Sequence, residues 1–311
     1  MAPPPRPTER LMAQVQRFLA SRRWKSHLEI NRLLSSPEGQ RALASVPPRS
    51  RMEKAQEKAF DAWEADGEDR YRLAREALAL DERCSDAWLI LAERERTWVK
   101  QRKCFEKAVA LSSRGASDEG WLESHKKETA AGGEGDPAGG LYGSVVARPF
   151  LRARMALARC LMDGGHFDES RALYEELMNW DGDDHLGVRF EVLHIYHEKN
   201  DLQALARLVR RYAVDVTACL AYERLWLALA RGAAPRTVAR LEKVALRANP
   251  HVPAYLSGRR QPHVDLGRTA FVIGGEDEAV DYARMAIVWW AGLPEAWDWL
   301  KAADAKDSGV R

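Results

Sequence analysis

Residues 152–183 read RARMALARCLMDGGHFDESRALYEELMNWDGD, and the fold turns on how this stretch divides. Two segments with apolar residues at helical spacing flank Gly164-Gly165. The first carries Ala158 and Leu161, the second Ser170, Tyr174 and Leu177, and Gly182 breaks the pattern. A 3.6-residue period on both sides of a glycine pair predicts helix, turn, helix. The arrangement returns 34 residues on, with Val192, Ile195, a turn at Lys199-Asn200, then Ala204, Leu208 and Arg211, and a boundary at Val216. It returns again with Trp226, Leu229, a turn around Gly232-Ala233, Val238, Glu242 and Ala245, and stops at Pro250.

The three units begin at Leu151, His185 and Cys219. A 34-residue period with two helices per unit is the tetratricopeptide spacing. Small residues at the eighth and twentieth slots let paired helices approach, and large ones at the eleventh and twenty-fourth fill the seam. Glu191, Arg211 and Glu242 stand where apolar residues are usual, which predicts diverged repeats with polar contacts in the seam. In NPHVPAYL (249–256), Pro250 ends a second helix because it lacks an N–H. Pro253 opens the next helix, and His251 lies in the joint.

Working outward, residues 51–111 read as repeats 1–2, with a unit boundary near Glu82 and Trp88, Leu91 and Ala92 in the next unit's slots. Residues 148–252 hold repeats 3–5, and 253–311 form a helical C-terminal cap that buries Ile287, Trp289, Trp290, Trp297 and Trp299. Residues 112–147 contain GGEGDPAGGLYG and read as a flexible insertion or lid. No Lys-Ser or Lys-Thr follows its glycines, so it is not a phosphate loop. Residues 1–50 form a basic Pro/Arg-rich extension. Within it, 8–34 predicts an amphipathic helix with Leu11, Val15, Phe18, Leu19 and Trp24 near one face and Arg17, Arg22, Arg23 and Lys25 as its charge. Packing on the first repeat as a cap is the plainer expectation. Attachment to nucleic acid or a membrane surface is the alternative.

Apolar residues make up 46% of the 311 and charged residues 30%, at a net charge of +2. That balance argues against a general nucleic-acid binder. It is unevenly spread: residues 1–54 hold eleven Lys/Arg against four Asp/Glu. The cysteines at 84, 104, 160 and 219 make no CxxC pair and suit a reducing cytoplasm. No apolar run approaches membrane-spanning length, and no secretory signal is expected.

Sequences that carry chemistry are few. No GxSxG, nucleotide-binding glycine pattern or Cys/His nucleophile signature occurs. Metal-site candidates are His194 and His197, one helical turn apart, with Glu191. They define an alternative reading as a helical-repeat metalloprotein or enzyme. The main expectation is a concave groove lined by first helices: Arg152, Met155, Arg159, Met162, Arg189, Leu193, Tyr196, His197, Glu223 and Arg231. Its arginines form a basic stripe suited to a carboxylate-bearing peptide.

AWEADGEDRYRLAREALALDERCSDAWLILAE, the stretch ARPFLRARM to LGVRF, NPHVPAYLSGRR and GEDEAVDYA resemble bacterial tetratricopeptide proteins related to the C-terminal region of the suppressor-of-tumorigenicity-7 family. The resemblance spans about residues 59–300. It implies an α-solenoid with a protein-interaction role, and brings no catalytic residues. Met155 and Arg159 stand where the carboxylate clamp of chaperone-binding relatives needs Lys and Asn, which puts that ligand class in doubt. The expectation is therefore an all-α, right-handed tetratricopeptide-like solenoid with helical caps at both ends. It would act as a soluble, cytoplasmic, non-enzymatic adaptor without cofactor, its partner a protein or peptide, an acidic one included.

Overall fold

The computed structural model describes residues 5, 8–21, 23–118, 140–261 and 272–308. Among the described residues every regular element is helical. The chain forms two compact units, Met1–Glu191 and Val192–Arg311. This division falls within the run of repeats expected over 148–252.

In the first unit the helices are α1 (Thr8–Ala20), α2 (His27–Leu34), α3 (Pro37–Ser45), α4 (Arg51–Glu64), α5 (Gly67–Leu80), α6 (Ser85–Glu93), α7 (Trp98–Asp118), α8 (Gly140–Gly143), α9 (Arg148–Asp163) and α10 (Phe167–Trp180). Helix α7 therefore carries regular structure past residue 112, where the insertion was expected to begin. Residues 140–147 also form helical turns. Whether the rest of that segment is a lid lies outside the described residues.

Local signals start these helices where the chemistry requires. Ser50 caps α4 by accepting from the Glu53 N–H while the Glu53 carboxylate reaches back to the Ser50 N–H. In the first unit α4 packs on α5, α5 on α6 and α6 on α7, α9 packs on α7 and α10, and α4, α6 and α9 also touch in succession. Alanines let the first of these seams close tightly. Ala55, Ala59, Ala62, Ala74, Ala77 and Ala87 are all fully buried around Ile90. Next in line, Leu89, Phe105, Ala153, Ala156, Leu157 and Leu161 form a second cluster. The Trp98 indole donates to the Cys160 carbonyl at 2.6 Å. It fills the space beside Gly164 so closely that a Cβ there would meet the ring at 2.3 Å.

Helix α11 (Val188–Glu198) crosses the division between the units. The second unit continues with α12 (Leu202–Arg211), α13 (Ala218–Ala230), α14 (Pro235–Ala248), α15 (Val252–Leu256), α16 (Glu276–Gly292) and α17 (Pro294–Ser308). Its centre is α13, ACLAYERLWLALA, apolar nearly all round and so covered on all sides. It touches α12, α14, α16 and α17.

The three expected hairpin turns share one geometry. Gly165, Asn200 and Gly232 each take a positive φ. The following N–H, of His166, Asp201 or Ala233, bonds back to Leu161, Tyr196 or Ala228 at 2.8–2.9 Å, the left-handed stop that satisfies orphan helix carbonyls. These anchors are 35 and then 32 residues apart, so the fixed 34-residue step slips at the turns. Leu161 and Ile195 are buried, whereas Leu229 is only half-buried.

NPHVPAYL behaves as punctuation. Pro253 sits in the first turn of α15, and His251 precedes that helix, half-exposed. The buried side chain is Asn249, whose amide donates to the Gly275 carbonyl at 2.8 Å and to Glu278 at 3.1 Å. In the C-terminal cap Trp290 and Trp289 are buried, but Trp297 and Trp299 are half-buried and Ile287 is exposed. The amphipathic stripe of α16 is thus only partly covered.

Candidate functional site

Two buried polar assemblies, one per unit, occupy the positions where an open groove was expected. In the first unit Arg152, on the second turn of α9, is buried. Its Nε and Nη2 donate to the two carboxylate oxygens of Asp86 at 3.0 and 2.7 Å. Its Nη1 donates to Glu9 of α1, a residue 143 positions away. Gln56 donates to Asp86 at 2.7 Å and completes the carboxylate's partners. Burial alone would lower the guanidinium pKa, but Asp86 and Glu9 outweigh it and hold the group above its usual value.

Helix α1 is fastened at further points. Arg10 reaches Glu57 at 3.0 Å, Asp61 at 2.8 Å and Glu64 at 3.2 Å. Arg17 reaches Glu57 at 2.6 Å. Between α1 and the helices behind it lies a cavity of about 410 Å³, bordered by Ala13, Gln56, Phe60, Leu111 and Phe150 among others. Leu11 and Met12 on α1 face outward, 51% and 41% exposed. The helix is therefore tethered across a trough by charge and does not fill it. Arg10 and Arg17 are thus both engaged by α4.

The expected basic stripe is likewise neutralised at Arg152, Arg159 and Arg189. Arg152 is held by Asp86 and Glu9, Arg159 by Glu191 at 2.6 Å, and Arg189 by Asp184 at 2.9 Å. Met155, Leu193 and Tyr196 are buried, and Met162 is half-buried. Arg231 is exposed, with its guanidinium on the Leu202 carbonyl at 2.7 Å. The charges that α4 turns to α1 are instead acidic, with Glu57, Asp61 and Glu64 on Arg10 and Glu57 also on Arg17.

The second assembly surrounds Glu223, the sole carboxylate of α13 and fully buried. It accepts from the Tyr282 hydroxyl at 3.0 Å and pairs with His197 Nε2 at 2.8 Å. Trp290 Nε1 donates to the same Tyr282 hydroxyl at 2.8 Å. The His197 ring lies flat on Trp289 with centroids 4.0 Å apart and meets Trp226 edge-on. Burial, and then the Glu223 charge, push the Tyr282 phenol well above its ordinary pKa.

The metal candidates do not converge. Glu191 is taken by Arg159, His197 by Glu223, and His194 comes only to 4.0 Å from Glu198. Among the described residues no three His, Cys, Asp or Glu side chains are grouped to hold an ion.

The cysteines are free thiols. Burial pushes Cys84 up to about 12 and Cys160 up to about 11. The thiolate is the reactive form, so alkylation at about pH 8 is expected to spare Cys84 in the folded chain. Peptide mass mapping should find it labelled only after denaturation, and rapid native labelling would contradict this burial.

Sequence reasoning missed Glu9, Asp86, Tyr282 and Glu278. Glu278 is buried and accepts from the Ala218 N–H at 2.8 Å as well as from Asn249. Apart from the separation of charge and apolar pattern, no local signal marks any of them, since each meets partners far along the chain. No helix among the described residues is long and apolar enough to cross a membrane. Compared with protein-family models and with the curated proteins, the chain matches none.

Proposed function

We propose that the chain is a non-enzymatic interaction scaffold of tetratricopeptide-like helical hairpins. On this reading it binds an amphipathic helix in the trough of the first unit, where α1 now lies. The observation that carries it is the set of ion pairs from Arg10 and Arg17 to Glu57, Asp61 and Glu64, beside a cavity that Arg17 borders. A helix laid into a groove is a recurring mode of peptide recognition. The Arg10 pairs are partly exposed and contribute only about 0.2–1 kcal/mol each, so exchange of α1 turns on the more buried Arg17–Glu57 and Glu9–Arg152 pairs.

The acidic side chains of α4 call for a ligand bearing cations, which reverses the acidic partner expected from Arg152, Arg159 and Arg189. The shared turn geometry at Gly165, Asn200 and Gly232 supports the repeat reading, in which successive hairpins build a right-handed solenoid. Four cysteines outside any disulfide fit a cytoplasmic setting.

The test uses the full chain. Arg10→Glu/Arg17→Glu should release α1 and raise the affinity for an added fluorescent peptide of residues 8–20 at least about tenfold. Adding Glu57→Lys/Asp61→Lys should abolish that gain. Peptide binding that ignores both pairs of substitutions would overturn the reading.

A further inference from the structure

Helix α14 carries Arg236, Arg240, Lys243 and Arg247, at intervals of four, three and four residues. That spacing sets all four on one helical face over about 16 Å, at about 1.5 Å per residue. All four are exposed. Arg207 and Arg210 on α12 are exposed too. None of the six has an acidic partner among the described residues. Among the described residues outside this stretch many arginines, such as Arg10, Arg72, Arg102 and Arg152, are matched to carboxylates, so four exposed cations in register on one helix face stand apart. Residues 202–250 hold nine Lys/Arg and three Asp/Glu, namely Asp215, Glu223 and Glu242. Glu223 is buried against His197, and Asp215 is turned to Thr217. The near-neutral total of +2 hides this field because residues elsewhere offset it.

We infer that the exposed face of α14 binds the phosphate backbone of duplex nucleic acid without reading its sequence. Four features favour this occupant. Protein interfaces have an apolar, aromatic centre depleted in charge, whereas here the sole exposed large apolar side chain on α14 is Val244. Polyphosphate needs no such centre, and interfaces with it are polar and strongly positive. Single-strand binders stack bases on aromatic platforms, and α14 carries no aromatic residue. Membrane-surface helices bury their apolar side in lipid, but α14 packs on α13. Arginine's planar fork suits phosphate oxygens, and three of the four residues on the stripe are arginine.

The α14 face shares no residue with the α1 trough, so the two proposals fail independently. Fluorescence anisotropy of the full chain with a labelled duplex of random sequence at about 50 mM salt should show binding in the micromolar range. For about four phosphates neutralised, the slope of log K on log salt should be about −3 to −4. Arg236→Glu/Arg240→Glu/Lys243→Glu should weaken binding at least about 30-fold and flatten the slope by about 3. Arg10→Ala/Arg17→Ala should leave both unchanged. If the triple variant does not fold by circular dichroism, Arg240→Ala and Lys243→Ala should each reduce the slope by about 1. No duplex binding at low salt, binding indifferent to these substitutions, or a preference for anionic vesicles or poly-glutamate over duplex would each overturn the inference.

Discussion

Arg152→Ala is expected to destabilise the first unit by about 3–5 kcal/mol, the usual result of removing one partner of a buried ion pair. Two carboxylates, Asp86 and Glu9, would be left inside the protein with their bidentate and single donors gone. Both would have to stay charged without a counterion, take up protons, or drag α1 and the start of α6 open to water. The corresponding fall in melting temperature is on the order of 10 °C for a unit of this size. Urea unfolding followed by hydrogen exchange in α4, α6 and α9 measures the effect in the correct unit.

Arg152→Met/Asp86→Leu/Glu9→Leu provides the contrast. Exchanging a whole buried charge set for apolar side chains of similar size is often neutral or stabilising, so this variant should recover most of the loss. An Arg152→Ala penalty under about 1 kcal/mol would mean that water already reaches the assembly.

In the second unit the largest loss is expected from Trp290→Ala, about 3–5 kcal/mol for truncating a fully buried indole. The ring is tilted against Trp299 at 5.5 Å and edge-on to Tyr222 at 6.1 Å. Its Nε1 also gives Tyr282 the hydrogen bond that lets that hydroxyl donate on to Glu223. Trp290→Phe separates the two roles, because it keeps much of the volume and loses only the donor. Its loss should be about 1–2 kcal/mol, close to one unmade buried hydrogen bond. Equal losses for the two variants, in urea titrations monitored by hydrogen exchange in α13 and α16, would show that packing around the ring contributes little.

Much of the fold was legible because helix formation is local. The Gly164-Gly165 turn, the break at Leu293, the start of α17 at Pro294 and the paired helices over 148–248 all follow from neighbouring residues. The 34-residue step was legible only approximately. Turn anchors at Leu161, Tyr196 and Ala228 show that hairpins absorb a residue or two without changing their stop geometry.

The candidate site was barely legible. Arg152, His197 and Glu223 were picked out by slot, but the slot supplies no information on what covers it. Helix α1 covers Arg152, and α16 covers Glu223. The α14 stripe is the opposite case: its spacing was present in the sequence, and its meaning depended on knowing that no carboxylate had been placed against it.

Taken by itself, the order of amino acids determined the all-helical class, the stops between helices, and which faces are apolar, because backbone preference and periodicity act over a turn or two of chain. The tertiary structure alone decided the partner of each charge. An ion pair such as Glu9 with Arg152 joins positions 143 apart, and a carboxylate is equally at home beside water or any arginine until packing brings one of them within reach.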